Sequence, residues 1–434
     1  MPTHLQSVSE FLSRLLRTQT PEELVQKLVP KQAPPAPKIP GGTLVSLEAL
    51  ERRWQILKAG REAREHLADS HTLAHLERYR RNIENCIGTV KIPVGIAGPL
   101  RVNGLFAQGD YYVPLATTEA ALVASYSRGA QLISESGGCT SILLQEGLSR
   151  APGFAFSSVR ESGRFVVWCA SQREAFRERA SRTTRHGELL DMSVTLEGNH
   201  VYLNFEFATG DAAGQNMVTI ATKAICDYIL AESPVKPEYS FVEANLSGDK
   251  KATALSFLSV RGKKVSAEVT VPSAMVTSRL HTSPEMMVDY WRMSAVGGIQ
   301  SGALGIHGHY ANGLAALYIA CGQDPACVAE SAVGITRFEL TKSRDLYATV
   351  TLPNIVVGTV GGGTSLPSQR ACLEILGSVG EGRARALAEV AAALALAGEL
   401  SIIGALCAGE FTAAHERLAR GKKGSRATEP TDDA

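Results

Sequence analysis

Residues 189–207, LLDMSVTLEGNHVYLNFEF, constrain the fold more than any other stretch of the chain. Apolar and polar residues alternate on both sides of Gly198-Asn199, the pattern of two strands joined by a tight hairpin turn. Before the hairpin, RFVVWCA (164–170) reads as a strand and QREAFRERASR (172–182) as a charged helix. After it, residues 213–232 carry a helical pattern, and a short strand falls near 241–244. This βαββαβ order predicts a split-βαβ, ferredoxin-like module between residues 152 and 241. The runs on either side differ in character, so the module is expected as an insertion in a larger domain.

The flanking sequence supplies that domain. Residues 1–30 hold two short amphipathic helical patterns, and KQAPPAPKIPGG (31–42) reads as a stiff Pro-rich linker. Residues 45–85 are dense in Arg and Glu and read as helices with a solvated face. KATALSFLSV (251–260) and KKVSAEVTV (263–271) flank Arg261-Gly262 as a second hairpin. The apolar stretch 390–409 is rich in Ala and Gly and broken by Glu399, which predicts a tightly packed internal helix rather than a membrane span. The tail from residue 419 is polar and reads as disordered.

A formal net charge of +1 argues against a nucleic acid or an anionic membrane as the main partner. The 8 cysteines are scattered without CxxC pairs, as in buried thiols of a reducing compartment, and a cytoplasmic protein is expected. No metal site is expected: His71 and His75 have helical spacing without an accompanying Glu, and His307 and His309 lack a third ligand.

Several polar motifs admit both a structural and a chemical reading. A strand at 110–115 meets Thr117-Thr118, which has N-cap chemistry, so Glu119 is placed in the first turn of a helix. There a carboxylate complements the helix dipole or faces a ligand. GTVGGGT (358–364) follows a strand-like run and is a tight turn or a backbone cradle for phosphate, with Gly361 and Gly362 at its centre. Neither a Walker loop nor GxGxxG occurs, so a Rossmann nucleotide site is not expected. Residues 211–216 (Asp211, Ala212, Ala213, Gly214, Gln215, Asn216) join a strand to a helix, a junction that can hold a dinucleotide on the helix N-terminus. Thr184 and Arg185 lie in the same module, and an arginine can pair with a 2′-phosphate. Lys250, between Asp249 and Lys251, is a solvated loop residue or an oxyanion-stabilising cation. Asp324 caps a turn or serves chemistry, and His415 near the chain end reads in isolation as surface.

Taken together, ENCIGTVKIPVGIAGPL (84–100), LATTEAALVAS (115–125), GDAAGQNMV (210–218), SGDKKA (247–252), IACGQD (319–324), GTVGGGT and GELSIIGALCAG (398–409) resemble the 3-hydroxy-3-methylglutaryl-coenzyme A (HMG-CoA) reductase family, in that family's order. The likeness runs from about residue 42 to 417. The Thr-Thr-Glu form and the terminal histidine resemble the eukaryotic and archaeal branch without its membrane anchor.

The resemblance implies an α+β fold: a large, helix-rich substrate domain (42–151 and 242–417) with the ferredoxin-like cofactor domain (152–241) inserted. Residues 1–41 are then an appendage and 418–434 a tail. It implies a four-electron reduction of the HMG thioester to mevalonate with two NADPH. Lys250 matches the family's oxyanion cation, Glu119 its acid, Asp324 an aspartate near both, and His415 the group that protonates the departing thiolate. Arg150, Lys251 and Asn312 match residues that hold the acyl carboxylate and hydroxyls, and Ser125, Arg128 and Gln131 match the coenzyme A site. Thr184, Arg185, residues 211–216 and the Gly361-Gly362 pair match the NADPH site. A homodimer or tetramer is implied, with the site formed across subunits.

The match has departures. Ala213 and Gln215 stand where methionine is common, Ala120 replaces a glycine, and His307 replaces a smaller polar residue. Glu243 occupies a position usually small and polar beside the acyl carboxylate. A carboxylate there repels the substrate's own unless it is protonated, turned away, or paired with Arg150 or a lysine. Two further readings are a reductase of a related acyl-CoA (or an NAD-linked oxidative enzyme) and a non-catalytic acyl-CoA-binding protein. Cofactor preference and acyl-CoA panels separate the first. Retention of Glu119, Lys250, Asp324 and His415 weighs against the second.

Overall fold

The computed structural model describes residues 5–30, 34 and 36–410. Helices α1 (Leu5–Leu15) and α2 (Pro21–Leu28) lead the chain, and neither buries a residue. Helices α3 (Leu47–Ile56), α4 (Arg61–Leu67) and α5 (Ser70–Ala74) gather around a small core of Val45, Leu50, Trp54, Ala68, Leu76 and Cys86. The charged sequence here is not a solvated face throughout. Arg53 is buried and donates to the carbonyls of Pro40, Gly42, Leu44 and Cys86, tying this layer together.

The main sheet begins with the antiparallel pair β1 (Val94–Gly104) and β2 (Gln108–Ala116). Helix α6 (Leu122–Glu135) returns the chain to β3 (Cys139–Arg150), which runs parallel to the end of β1 and antiparallel to a later strand. The chain then leaves for a second sheet. That sheet is built from β4 (Gly153–Ala155), helices α7 (Val159–Ser171) and α8 (Arg173–Ser181), the hairpin β5 (Glu188–Glu197) and β6 (His200–Ala208), helix α9 (Gln215–Glu232), and β7 (Tyr239–Phe241). Its order is β7-β4-β6-β5 with every neighbour antiparallel, the ferredoxin-like arrangement expected from the hairpin. Phe154, Phe156, Phe165, Phe176 and Phe205 fill its core. The last residues of β3, Leu148–Arg150, also pair with β6, so one strand serves both sheets.

The main sheet resumes with β8 (Gly262–Val271), against β3. After α10 (Ser273–Leu280) and α11 (Pro284–Ser301) come β9 (Gly305–Ile306), α12 (Tyr310–Ala320) and the single turn α13 (Val328–Ser331). Strands β10 (Gly334–Leu340) and β11 (Leu346–Ile355) complete the order β3-β8-β11-β10-β9. Helices α14 (Pro367–Ile375) and α15 (Ala384–Cys407) follow. Nearly all of α15 is buried, as its small apolar residues predict. It crosses α6 at backbone contact, because a Cβ on Gly129 would collide with the Ala397 carbonyl and one on Gly398 with the Tyr126 ring. By length and hydropathy α15 would also pass for a membrane span, the one such helix among the described residues, yet it is the core of this fold.

Three local expectations are corrected. Residues 164–170 belong to α7 rather than a strand: Ser158 caps the helix through Glu161 N–H, and Ser162, Phe165 and Cys169 share its buried face at helical spacing. Residues 251–260 form no strand; Ala254–Phe257 is a 3₁₀ turn, and β8 finds its partners in β3 and β11. Helix α6 starts at Leu122, after Ala121 at φ +70°, so Glu119 lies in the loop before it and not in its first turn.

Candidate active site

Lys250 sits on the loop after β7 with φ +56°, a left-handed conformation unusual for a residue with a side chain. Two contacts hold it there. Its amide donates to Glu330 Oε1 at 3.2 Å, and its Nζ lies 2.8 Å from Asp324 Oδ2. Asp324 caps the 3₁₀ turn Pro325–Cys327, its Oδ1 accepting from Ala326 N–H at 3.0 Å, so its second oxygen is aimed at the lysine. The Asp324 hydrogen bond, only partly offset by desolvation, raises the pKa of Lys250 and keeps it cationic through the neutral range.

Behind the lysine runs an alternating chain of charge. Asp249 accepts from Arg150 Nη1 at 3.0 Å and from Arg261 Nη2 at 2.7 Å, and Arg261 also pairs with the buried Glu330. Burial pushes the Asp249 pKa up, but Arg261 and Arg150 outweigh it, and the net shift is downward. Glu243 is paired, as one of the sequence alternatives had it: its Oε2 accepts from Arg150 Nη1 at 3.3 Å. Lys251 Nζ reaches the Asp249 carbonyl at 2.8 Å and is otherwise exposed.

Three distant segments close on one another beside this cluster. Asp211 O accepts from Thr359 N–H at 2.8 Å, and Ala212 bridges Val360. A Cβ on Gly358 would collide with the Ala213 amide, and one on Gly322 with the Gly363 carbonyl. Gln323 Oε1 accepts from Gly358 N–H at 2.8 Å, and Gln215 Nε2 reaches Cys327 Sγ at 2.6 Å, linking α9 to the turn that carries Asp324. The side chain of Asp211 is committed to structure: it accepts from Gly382 and Ala384 N–H and caps α15. Helix α9 has no side-chain cap and no acidic residue in its first turn, and Gly214 precedes it at φ +84°. Gly361 and Gly362 have positive φ and open space where a Cβ would stand. Uncapped amides, an open glycine floor and the exposed Arg185 and Asn216 fit a phosphate-bearing dinucleotide. Thr184 Oγ1 accepts from His186 N–H at 3.1 Å and shapes the loop bearing Arg185.

Glu119 lies elsewhere in the chain. Its amide donates to Thr117 Oγ1 at 3.0 Å, and its Oε1 accepts from Asn312 Nδ2 at 3.4 Å. Both residues line a cavity of about 370 Å³ with Ile92, Thr117, Ile319 and Val328. Lys250 and Asp324 are not among the residues that line it. Ser125, Arg128 and Gln131 follow one face of α6. The Ser125 and Ser401 hydroxyls are 2.9 Å apart, Arg128 Nη2 donates to Ser401 O at 2.7 Å, and Gln131 reaches Gly98 O at 3.4 Å. His415 lies outside the described residues.

The hydroxymethylglutaryl-coenzyme A reductase family matches residues 49–420. The chain belongs to that family. The 3-hydroxy-3-methylglutaryl-coenzyme A reductase of Pyrococcus horikoshii is 44% identical over 348 residues, covering 78% of this chain and 84% of its own. That of Methanothermobacter thermautotrophicus is 42% identical over 389 residues, covering 87% and 97%. A class II HMG-CoA reductase structure from Streptococcus pneumoniae, bound to NADPH, superposes with a TM-score of 0.62 at 20% identity, covering 80% of this chain and 97% of that one. The archaeal relatives place this member of the HMG-CoA reductase family in the archaeal-type branch, and the pneumococcal structure shares the fold.

Sequence reasoning missed the anchors of the site. Arg261 read as a turn residue and Glu330 as unremarked, yet they are the buried pair that fixes the Lys250 loop. No local pattern marks that pair; in α15, by contrast, an acidic residue inside an otherwise apolar helix was a legible signal, seen at Glu399 and equally present at Glu389. Glu389 accepts from the amides of Leu105, Phe106, Ala107 and Leu143, fastening α15 to the β1–β2 turn and to β3.

Proposed function

We propose that the chain reduces (S)-3-hydroxy-3-methylglutaryl-CoA to mevalonate and CoA, with NADPH as reductant, in the mevalonate route to isoprenoids. The observation that carries the reading is the Lys250–Asp324 pair beside the open cradle of α9 and the Gly361-Gly362 turn. NADPH supplies the two hydrides that a thioester needs to become an alcohol. Lys250 neutralises charge gathering on the carbonyl oxygen, which is worth most where the cation is fixed beforehand. Asp324 holds that ammonium charged and aimed. Glu119 delivers a proton to the oxygen. His415 takes the thiolate role that the resemblance implies. Arg185, Thr184, Ala213, Gly214, Gln215 and Asn216 hold NADPH. Ser125, Arg128 and Gln131 receive coenzyme A.

The active unit is a homodimer or a larger homo-oligomer. The family resemblance implies that a second copy completes the site. Helix α11 offers a face for it: Met293, Val296 and Ile299 are 77%, 56% and 74% exposed on one stripe. We assign residues 42–151 and 242–417 to an acyl-CoA domain, 152–241 to a cofactor domain, 1–41 to an appendage and 418–434 to a tail. A cytoplasmic enzyme fits the 8 free cysteines, of which 7 are buried.

The test mixes the purified protein with HMG-CoA and NADPH and quantifies cofactor, mevalonate and free thiol. Two NADPH consumed per mevalonate and per thiol is the expected result. Cofactor binding without turnover overturns the assignment of the acyl group. Arg185→Ala is expected to raise KM for NADPH by about tenfold and to change that for NADH by less than about twofold, because only NADPH carries the 2′-phosphate. A parallel rise for both cofactors removes Arg185 from the phosphate site.

A further inference from the structure

The acyl group of HMG-CoA ends in a free carboxylate, which needs a cation of its own within reach of the Lys250 loop. Arg150 is 6% exposed, and its Nη1 is shared between Glu243 Oε2 at 3.3 Å and Asp249 Oδ2 at 3.0 Å. Arg261 is taken by Asp249 and Glu330, and Lys250 by Asp324. The two arginines therefore face three carboxylates, and the surplus negative charge traces to Glu243. Nor is Glu243 free to swing aside. It accepts from Ala151 N–H at 3.2 Å, Asn245 N–H at 2.7 Å and Ser247 Oγ at 3.0 Å, contacts on both the β3 end and its own loop. Among the described residues, Lys251 is the cation of this cluster with no carboxylate against it.

We propose that Glu243 is a specificity-determining residue: a built-in carboxylate that occupies Arg150, repels the acyl carboxylate and leaves its capture to Lys251. This rests on the reductase reading above. The consequence is weak holding of acyl groups that carry a free carboxylate, relative to acyl groups that do not. Arg150 Nε, buried with no partner among the described residues, is a donor that a ligand would find if the local negative charge were lowered.

The experiment compares parent and Glu243→Gln, which keeps the shape and most acceptors but removes the charge. Calorimetry with free 3-hydroxy-3-methylglutarate is expected to show about tenfold tighter binding in the variant, the scale of one like charge removed from a partly buried site. Binding of the neutral diester is expected to stay within about twofold. With HMG-CoA, KM falls and kcat changes less than KM. A role limited to loop anchoring predicts the opposite split, with kcat lowered and KM not improved, and that result overturns the proposal. So does unchanged or weaker hydroxymethylglutarate binding in a variant that melts cooperatively. If Glu243→Gln melts early, Glu243→Ser carries the same comparison. Absence of turnover by the parent counts against the reaction assigned above, whereas the calorimetric comparison decides Glu243 independently.

Discussion

Lys250→Met is expected to lower kcat by about 10³-fold, the scale at which fixed oxyanion-stabilising groups act. The melting temperature should stay within about 3 °C of the parent, because a partly exposed ion pair is worth about 1 kcal/mol or less. The Lys250 side chain is 41% exposed and buries little that the fold depends on. Its backbone φ of +56° is held by Glu330 through the main-chain amide, a contact that methionine keeps. Steady-state kinetics beside a thermal melt checks both halves, and a loss of kcat below about tenfold removes Lys250 from the oxyanion role. The pH dependence has a definite sign. The raised pKa means that the charge, and the ion pair it makes with Asp324, is complete below the ordinary lysine value and disappears only as pH climbs past the raised one. An activity limb that falls nearer neutrality therefore belongs to a different group.

Glu399→Ala is expected to destabilise the protein by about 4 kcal/mol. Helix α12, which carries Asn312, has no side-chain cap of its own. Glu399, fully buried in α15, acts as that cap from a distance: it accepts from Gly308 N–H at 2.8 Å, His309 N–H at 2.9 Å and Thr336 Oγ1 at 2.7 Å. Alanine leaves two amides without an acceptor in a closed space, and it also empties part of that space. Glu399→Gln keeps an acceptor for both amides and should recover more than half of the loss. Denaturant unfolding of the three proteins provides the measurement. A cost below about 1 kcal/mol for alanine refutes the capping account.

The same remote capping explains where the sequence could and could not be read. The hairpin around Gly198-Asn199, the α9 helix and the buried α15 are written in local periodicity, and each formed where its pattern lies. Helix starts were harder, because their caps come from elsewhere in the chain. Asp211 caps α15 and Glu399 caps α12, so no Ser, Thr or Asp at the local boundary announces either helix. The reverse error occurred at Thr117-Thr118, which looks like a cap but serves the Glu119 loop through Thr117 Oγ1. Of the site, the contact of Lys250 with Asp324 agrees with the family resemblance, whereas that of Glu119 with Asn312 was not read from it. That contact depends on tertiary packing that no local pattern announces. The buried charge chain behind Lys250 was hidden for the same reason: its members are spread from Arg150 to Glu330.

Strand β3 limits how this enzyme family can be recombined. Leu148–Arg150 complete the small sheet by pairing with Phe205–Phe207, while the first part of the same strand is bound to β8. A chimaera that exchanges cofactor preference by transplanting residues 152–241 leaves β6 to find its register on a foreign strand end. Arg150 sits at that seam, with Glu243 across the other cut. Grafts that keep Leu148, Ser149, Arg150 and Glu243 with the transplanted piece are the ones expected to assemble.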